Sequence, residues 1–317
     1  MRRRSFLKRL GGGFAAGAAT GTAATSLADP RMGTERRAGD STFPARTSAP
    51  AQSARVRKAV KFHMLDSEAS IAERFRIIRE AGFEGVEFRS PNDYATSEIV
   101  AAREETGLDV IGVVAGWKHF GSTDRATLEQ SHAELETALQ DAADYGGSIC
   151  LLVPETVNAD MAYDQAYEQS IREIKKALPR AEELGVRIAI ENVWNNFLLS
   201  PLEFARYVDA FESEWLGAYF DIGNVVKLGW PEQWIRILGD RIMRLDVKGF
   251  SREIMDERGP GAGFEVDIGE GSVDYGAVRA ALDEIEYDGF ATAEETGGGA
   301  DRMAEIAGQM DRVLPTS

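Results

Sequence analysis

The 317-residue chain has a single cysteine, Cys150, so no disulfide can form within it. Cys150 lies in the apolar run SICLLVP and reads as a small core residue. Positive charge is also short: 36 Lys and Arg stand against 52 Asp and Glu, a net charge of −16. The first 28 residues hold five of those cations and no acid, which leaves −21 on the remainder. Such a surface repels a phosphate backbone, so nucleic acid is not expected as a partner. The apolar run near the start is too short and too poor in large side chains to span a membrane. No glycine-rich dinucleotide turn follows the first apolar run, which argues against a doubly wound nucleotide-binding sheet.

What is present begins with an address. Arg3-Arg4-Ser5-Phe6-Leu7-Lys8 matches the twin-arginine pattern R-R-x-F-L-K. A Gly- and Ala-rich run follows to Leu27, and Ser26-Leu27-Ala28 offers small residues where a signal peptidase reads. Residues 1–28 are therefore expected to be a twin-arginine signal peptide, with the export machinery as a partner and the periplasm as destination. No cysteine stands at the cleavage site, which excludes a lipid anchor there. This route carries proteins that have already folded. Residues 29–57, rich in Pro, Ser, Thr, Ala and Arg without periodicity, read as a disordered linker. Residues 58–317 read as the catalytic domain.

From Lys58 onward short apolar runs alternate with amphipathic segments. The runs are VKFHML, GVEFRS, LDVIGVVAG, SICLLVP, VRIAIENV, LGAYFDIGN, IMRLDVKGF and GFATAEE. Helices are expected to start near Ser70, Asp93, Asp124, Asp160, Pro201, Pro231, Asp274 and Ala300, several of them on the Asp or Pro typical of helix starts. Eight strands alternating with eight helices make a (β/α)8 TIM barrel. The stretch from Phe250 to Ser272 is long for a connection and is expected to form a flap over the barrel mouth.

Polar residues at the carboxyl ends of barrel strands are where such folds do chemistry. VRIAIENVWNN turns from β-branched residues to Glu191, Asn192, Trp194 and Asn195. Other strands end with Glu87 and Arg89, with Asp221 and Asn224, with Asp246 and Lys248, and with Glu294 and Glu295. So many acids at one mouth cannot all stay ionised without a cation, and a hard divalent metal with oxygen ligands is the economical solution. Trp117 and Trp194 offer flat apolar faces for the C–H side of a sugar, and His63 and His119 fall near the mouth as further substrate contacts. His132 is expected at the surface. Gly297-Gly298-Gly299 could cradle a phosphate or simply make the turn.

The stretches AGFEGVEF, IENVWNNFLLSP, YFDIGN, RLDVKGF, IGEGSVDYGAV and YDGFATAEE together resemble the sugar phosphate isomerases/epimerases, a family of xylose isomerase-like barrels. The resemblance runs from about residue 58 to 314. It implies one divalent metal held by Glu, Asp, His and Glu from strands five to eight. Glu191, Asp221 and Glu294 match three of these, and Asp246 stands where the histidine is usual. With oxygen donors only, Mn²⁺ or Mg²⁺ is the expected ion.

The resemblance further implies an isomerase or epimerase of a keto-sugar. Glu191 and Glu294 would handle the proton α to the carbonyl, with an enediolate between the two transfers and Lys248 neutralising charge. His63, Glu87, Trp117, His119, Trp194, Asn195 and Asn224 are the expected substrate contacts. A dehydratase or other lyase acting by β-elimination shares the first step, and a non-catalytic periplasmic sugar-binding protein is the other reading. A nuclease on the same barrel does not suit three histidines and an acidic surface. The partner is a small carbohydrate, unphosphorylated or glycosidic if the protein is exported, and a homo-oligomer is left open.

Replacing Arg3 and Arg4 together by Lys is expected to hold the precursor in the cytoplasm. Fractionation of cells producing parent and variant checks this, and unchanged export would contradict the twin-arginine reading.

Overall fold

The computed structural model describes residues 54–315, so the expected signal peptide and all but the last few residues of the expected linker lie outside the described residues. Eight parallel strands close into a barrel in chain order. They are β1 (Arg55–Lys61), β2 (Gly85–Arg89), β3 (Asp109–Trp117), β4 (Ile149–Val153), β5 (Arg187–Glu191), β6 (Leu216–Asp221), β7 (Ile242–Val247) and β8 (Asp288–Ala293). The last strand returns to the first through a register running from Arg55↔Asp288 to Val60↔Ala293. This is the (β/α)8 barrel that the alternating pattern implied.

Period-two alternation sorts the strand residues between two cores. Val56, Val60, Ile188, Ile190, Phe220 and Leu245 pack with the helices. Ala59, Ile111 and Phe290 form one layer of the barrel interior, and Ile149, Leu151, Val153, Ala189 and Tyr219 form another. The first strand begins at Arg55, three residues before the expected start at Lys58. Its cations disguised it: the Arg57 guanidinium lies 4.0 Å from the Phe290 ring centroid, and the amide of Ala54 donates to Asp283 Oδ1 at 2.8 Å. Phe62–Met64 then turns away as a short 3₁₀ segment instead of continuing the strand.

Local chemistry sets the helix ends. Ser70, Asp124, Ser200 and Asp274 each accept a hydrogen bond from the backbone N–H three residues on. They open Ile71–Glu80, Arg125–Tyr145, Pro201–Asp209 and Tyr275–Glu284. The starts expected at Asp93 and Asp160 fall early, because those helices run Thr96–Thr106 and Tyr163–Ile174 and begin without a side-chain cap. Pro231–Leu238 and Ala300–Val313 begin where expected.

Two connections shape the mouth. The long segment after β7 folds into the helix Arg252–Arg258 and a 3₁₀ stretch Pro260–Phe264. Arg252 Nε donates to the Val226 carbonyl at 2.8 Å and its Nη2 to that of Gly229 at 2.7 Å. The Phe264 ring sits 4.9 Å from both Trp194 and Phe250. The segment is thus seated on the loops after β5 and β6. The loop after β8 joins the loop after β1: Gly298 N–H donates to the Met64 carbonyl at 3.0 Å, and Asp66 N–H to that of Gly298 at 2.9 Å. These glycines make a tight turn, and a Cβ on Gly297 would lie 2.0 Å from the Met64 carbonyl oxygen.

Gly297→Ala must therefore push the first and last loops apart. Overpacking of this kind costs about 1–3 kcal/mol, and a lowered urea midpoint with an unchanged m-value is the expected result.

Candidate active site

Register brings the acids together. Asp221 pairs with Asp246 across β6 and β7, Glu191 with Tyr219 across β5 and β6, and Lys61 with Glu87 across β1 and β2. Glu294 follows β8, its N–H bonded to the Val247 carbonyl at 3.0 Å. One oxygen each from Glu191, Asp221, Asp246 and Glu294 lies within 4.8 Å of all the others. Asp221 and Asp246 are completely buried and Glu191 nearly so, while Glu294 is partly exposed.

The loops hold this geometry. Asn192 clasps β6, accepting from Asp221 N–H at 2.8 Å and donating to the Asp221 carbonyl at 2.9 Å. Asp221 Oδ1 accepts from Asn224 N–H at 2.9 Å, opening the short helix Ile222–Val226. Asn224 Nδ2 donates to the Asn192 carbonyl at 3.0 Å, and Trp194 Nε1 to the Asn224 carbonyl at 2.9 Å.

Two ammonium groups stand among the acids. Lys61 Nζ lies 2.9 Å from Asp246 Oδ2, 3.4 Å from Glu87 Oε2 and 3.4 Å from Glu294 Oε1. Lys248 Nζ lies 2.7 Å from Asp221 Oδ2 and also contacts Glu294 Oε2. Beneath them the Tyr219 hydroxyl donates to Glu87 Oε2 at 3.3 Å and lies 2.8 Å from Thr292 Oγ1.

Proton affinities diverge accordingly. Burial, reinforced by Asp246, Asp221 and Glu294, pushes the Glu191 carboxyl well above the usual carboxylate range, with Lys61 opposing. Burial raises Asp246 in the same way, again with Lys61 opposing. Burial would also raise Glu294, but Lys61 and Lys248 outweigh it and pull that carboxyl down to about 2. On Lys61, burial works against the charged form, and Asp246, Glu87 and Glu294 more than offset it, holding the ammonium well above its ordinary value.

The acids fit a divalent cation. Asp246 Oδ1 is buried and accepts no hydrogen bond. Glu191, almost fully buried, converges on the same point as Asp221, Asp246 and Glu294. Converging, buried oxygen donors with unused lone pairs are the donor set a hard cation requires.

A cavity of about 390 Å³ opens above the acids, lined by Lys61, His63, Arg89, Trp117, Glu191 and Glu294. On the far side of Glu294 a second chamber of about 300 Å³ is walled by Lys248, Phe264 and Glu295. A third, of about 380 Å³, lies between the loops after β5 and β6, against Trp194, Trp230 and Trp234.

The expected substrate contacts divide. His63 and Trp117 line the mouth, and Trp117 is half exposed there. Glu87 lies below it, held by Lys61 and Tyr219, so it supports the site from underneath. Asn195 is buried, with Nδ2 donating to the Glu155 carbonyl at 2.8 Å and Oδ1 accepting from Phe197 N–H at 3.2 Å. It fixes its loop and is 2% exposed, away from the residues that line the mouth. His119 Nδ1 lies 3.1 Å from Glu155 Oε1, outside the residues lining the mouth. Trp194 packs on Phe264 with Lys227 Nζ 4.4 Å from its ring centroid, and Asn224 holds its loop. His132 is only partly exposed, its Nε2 2.8 Å from Glu173 Oε2.

Lys61, Glu155 and Tyr219 were not anticipated. The parity of β1 could have found the first, since Lys61 stands two residues beyond the interior-facing Ala59.

Comparison with known proteins agrees with this architecture. The family model described as the xylose isomerase-like TIM barrel matches residues 75–313. The Escherichia coli protein SgbU, named for L-ribulose-5-phosphate 3-epimerase activity, is 26% identical over 241 residues, covering 71% of this chain and 83% of SgbU. The 2-oxo-tetronate isomerase of Haemophilus influenzae is 24% identical over 250 residues, covering 74% of this chain and 92% of that protein. Among solved structures, IolI with a bound zinc atom superposes with a TM-score of 0.69 at 14% identity, covering 82% of this chain and 98% of IolI.

His63 provides a check on the mouth's electrostatics. Partial burial, Arg89 and Lys61 push its imidazole down to about 4 from 6.5. The folded state then binds fewer protons than the unfolded one between those values, so this group's contribution to stability is lost as pH falls from 6.5 through about 4. An NMR titration should show the His63 ring changing near pH 4, and a midpoint near 6.5 would contradict the geometry.

Proposed function

Because the chain belongs to the xylose isomerase-like TIM barrel family, we propose that it is a metal-dependent epimerase or isomerase of a keto-sugar, acting on the proton α to the carbonyl. The observation that carries this reading is the pair Glu191 and Glu294. Both line the same mouth cavity, so each can reach a sugar held there. One carboxylate must accept a proton while another delivers one, and two carboxyl groups on one cavity supply that pair. The relatives named for an epimerase and an isomerase add support for the reaction class.

Glu191, Asp221, Asp246 and Glu294 would hold the cation, and their all-oxygen set favours Mn²⁺ or Mg²⁺. When bound, that ion supplies Lewis-acid polarisation of the substrate carbonyl. The protein's own groups do the rest. One of Glu191 and Glu294 removes the α-proton, and the other returns a proton to the opposite face or to the neighbouring carbon through an enediolate. Lys248, in contact with Glu294 and Asp221, offsets negative charge as it develops on the substrate oxygens. Trp117 offers its indole face to the C–H side of the sugar, and Arg89 and neutral His63 meet its hydroxyls. On the twin-arginine signal the protein works in the periplasm, where an unphosphorylated or glycosidic sugar is the more accessible substrate.

Glu191→Gln and Glu294→Gln should each leave a folded barrel with turnover reduced about 10²-fold or more, the usual share of a positioned acid or base. Keto-sugars and keto-glycosides incubated in deuterated water and followed by NMR report proton abstraction whatever the product. Near-normal deuterium incorporation in either variant would mean that the proton is handled elsewhere.

A further inference from the structure

Lys61 takes no part in the proton transfers above, yet it is the most deeply placed cation of the site. Its side chain is 4% exposed and reaches Asp246, Glu87 and Glu294 from the end of β1. An ammonium that far from water is retained only where carboxylates surround it. Two of its three partners belong to the group of four that converge, and the third, Glu87, does not. The contact with Asp246 divides that carboxylate in two. Oδ2 is held at 2.9 Å, whereas Oδ1, equally buried, has no hydrogen-bond donor. A carboxylate's terminal torsion is broad when nothing grips it. Here one oxygen is pinned and the other is buried with no partner, on a carboxylate that converges with Glu191, Asp221 and Glu294.

We propose that Lys61 is a positioning residue for the divalent cation: it grips Asp246 Oδ2 so that Oδ1 alone is presented, and Glu87 serves as its own counter-charge. The inference rests on the metal reading above and adds a residue to it. Lys61, Asp246 and Glu87 then share one net negative charge where the two carboxylates alone would carry two. Asp246 contributes an oxygen ligand with its charge partly offset, and the lysine is tolerated beside a cation because Asp246 and Glu87 screen it. Groups that orient a ligand in this way typically matter 10- to 100-fold, at about that order, in metal affinity.

The unit is tested by Mn²⁺ binding, read by the loss of the free-ion electron paramagnetic resonance signal, on the full-length protein. Asp246→Asn removes a ligand charge and strands Lys61 beside the site, so affinity should fall by about 30-fold or more, within the range a disturbed ligand shell gives. Adding Lys61→Met to that variant removes the stranded cation and should restore at least about tenfold of the loss. Additive effects, with the double variant no tighter than Asp246→Asn, would overturn the proposal. Failure of the parent to bind Mn²⁺ or Mg²⁺ at all would overturn the metal reading itself, so the two failures are distinguishable.

Circular dichroism establishes that each variant is folded. If Asp246→Asn does not fold, Glu87→Gln replaces it: all four converging carboxylates stay in place and only the counter-charge of Lys61 is lost. Affinity should then fall about threefold to tenfold, and an unchanged value would count against the proposal. Neither effect follows from a merely structural lysine, because restoration of affinity on deleting a cation reports charge at the site and not packing.

Discussion

Like charges crowded at the carboxyl end of a barrel repel one another, and in this protein the repulsion is answered from within. Glu87, Glu191, Asp221, Asp246 and Glu294 meet there with Lys61 and Lys248 set between them. Much of the surrounding structure follows. Backbone amides and amide side chains are turned toward Asp221, which accepts from Asn224 and has its own N–H taken by Asn192. A hydroxyl layer, Tyr219 and Thr292, separates the charged mouth from the apolar barrel floor. Such a cluster is expensive without a cation, and it places the carboxyl groups where a proton can be taken or given.

The barrel was legible because its signal is repeated. Eight apolar runs separated by helical segments leave few other topologies, and parallel pairing in chain order follows from short right-handed crossovers. The four converging acids were legible for a related reason. Glu191, Asp221, Asp246 and Glu294 each stand at or near the carboxyl end of a recognisable strand, so closing the barrel brings them together whatever the loops do. Parity alone then orients them inward, as it does Lys248 two residues after Asp246.

Residues whose role depends on a neighbour distant in sequence were not legible. Lys61 looks like an interruption in an apolar run until β2, β7 and β8 supply its three carboxylates. Arg55 and Arg57 looked like linker because nothing local announces that Phe290 lies beneath Arg57. Asn195 and His119 carry the right chemistry for a sugar and stand in the right loops, but Glu155, in the loop after β4, binds both. Loop polar residues serve ligands and loops with the same atoms, and only the fold decides between them.

The seam between β1 and β8 has a further meaning for how the site comes into being. Lys61 arrives with the first strand and Glu294 just after the last, and they meet 3.4 Å apart where the loops after those strands are stitched together at Gly298. During synthesis the lysine waits through the whole length of the barrel for the partner that completes its surroundings. Contacts this remote in sequence form late, since the intervening chain must be ordered first. The charged mouth is therefore a property of the finished barrel: no amino-terminal fragment ending before β8 contains it, and a cation site built on it comes into existence in the same step that closes the ring.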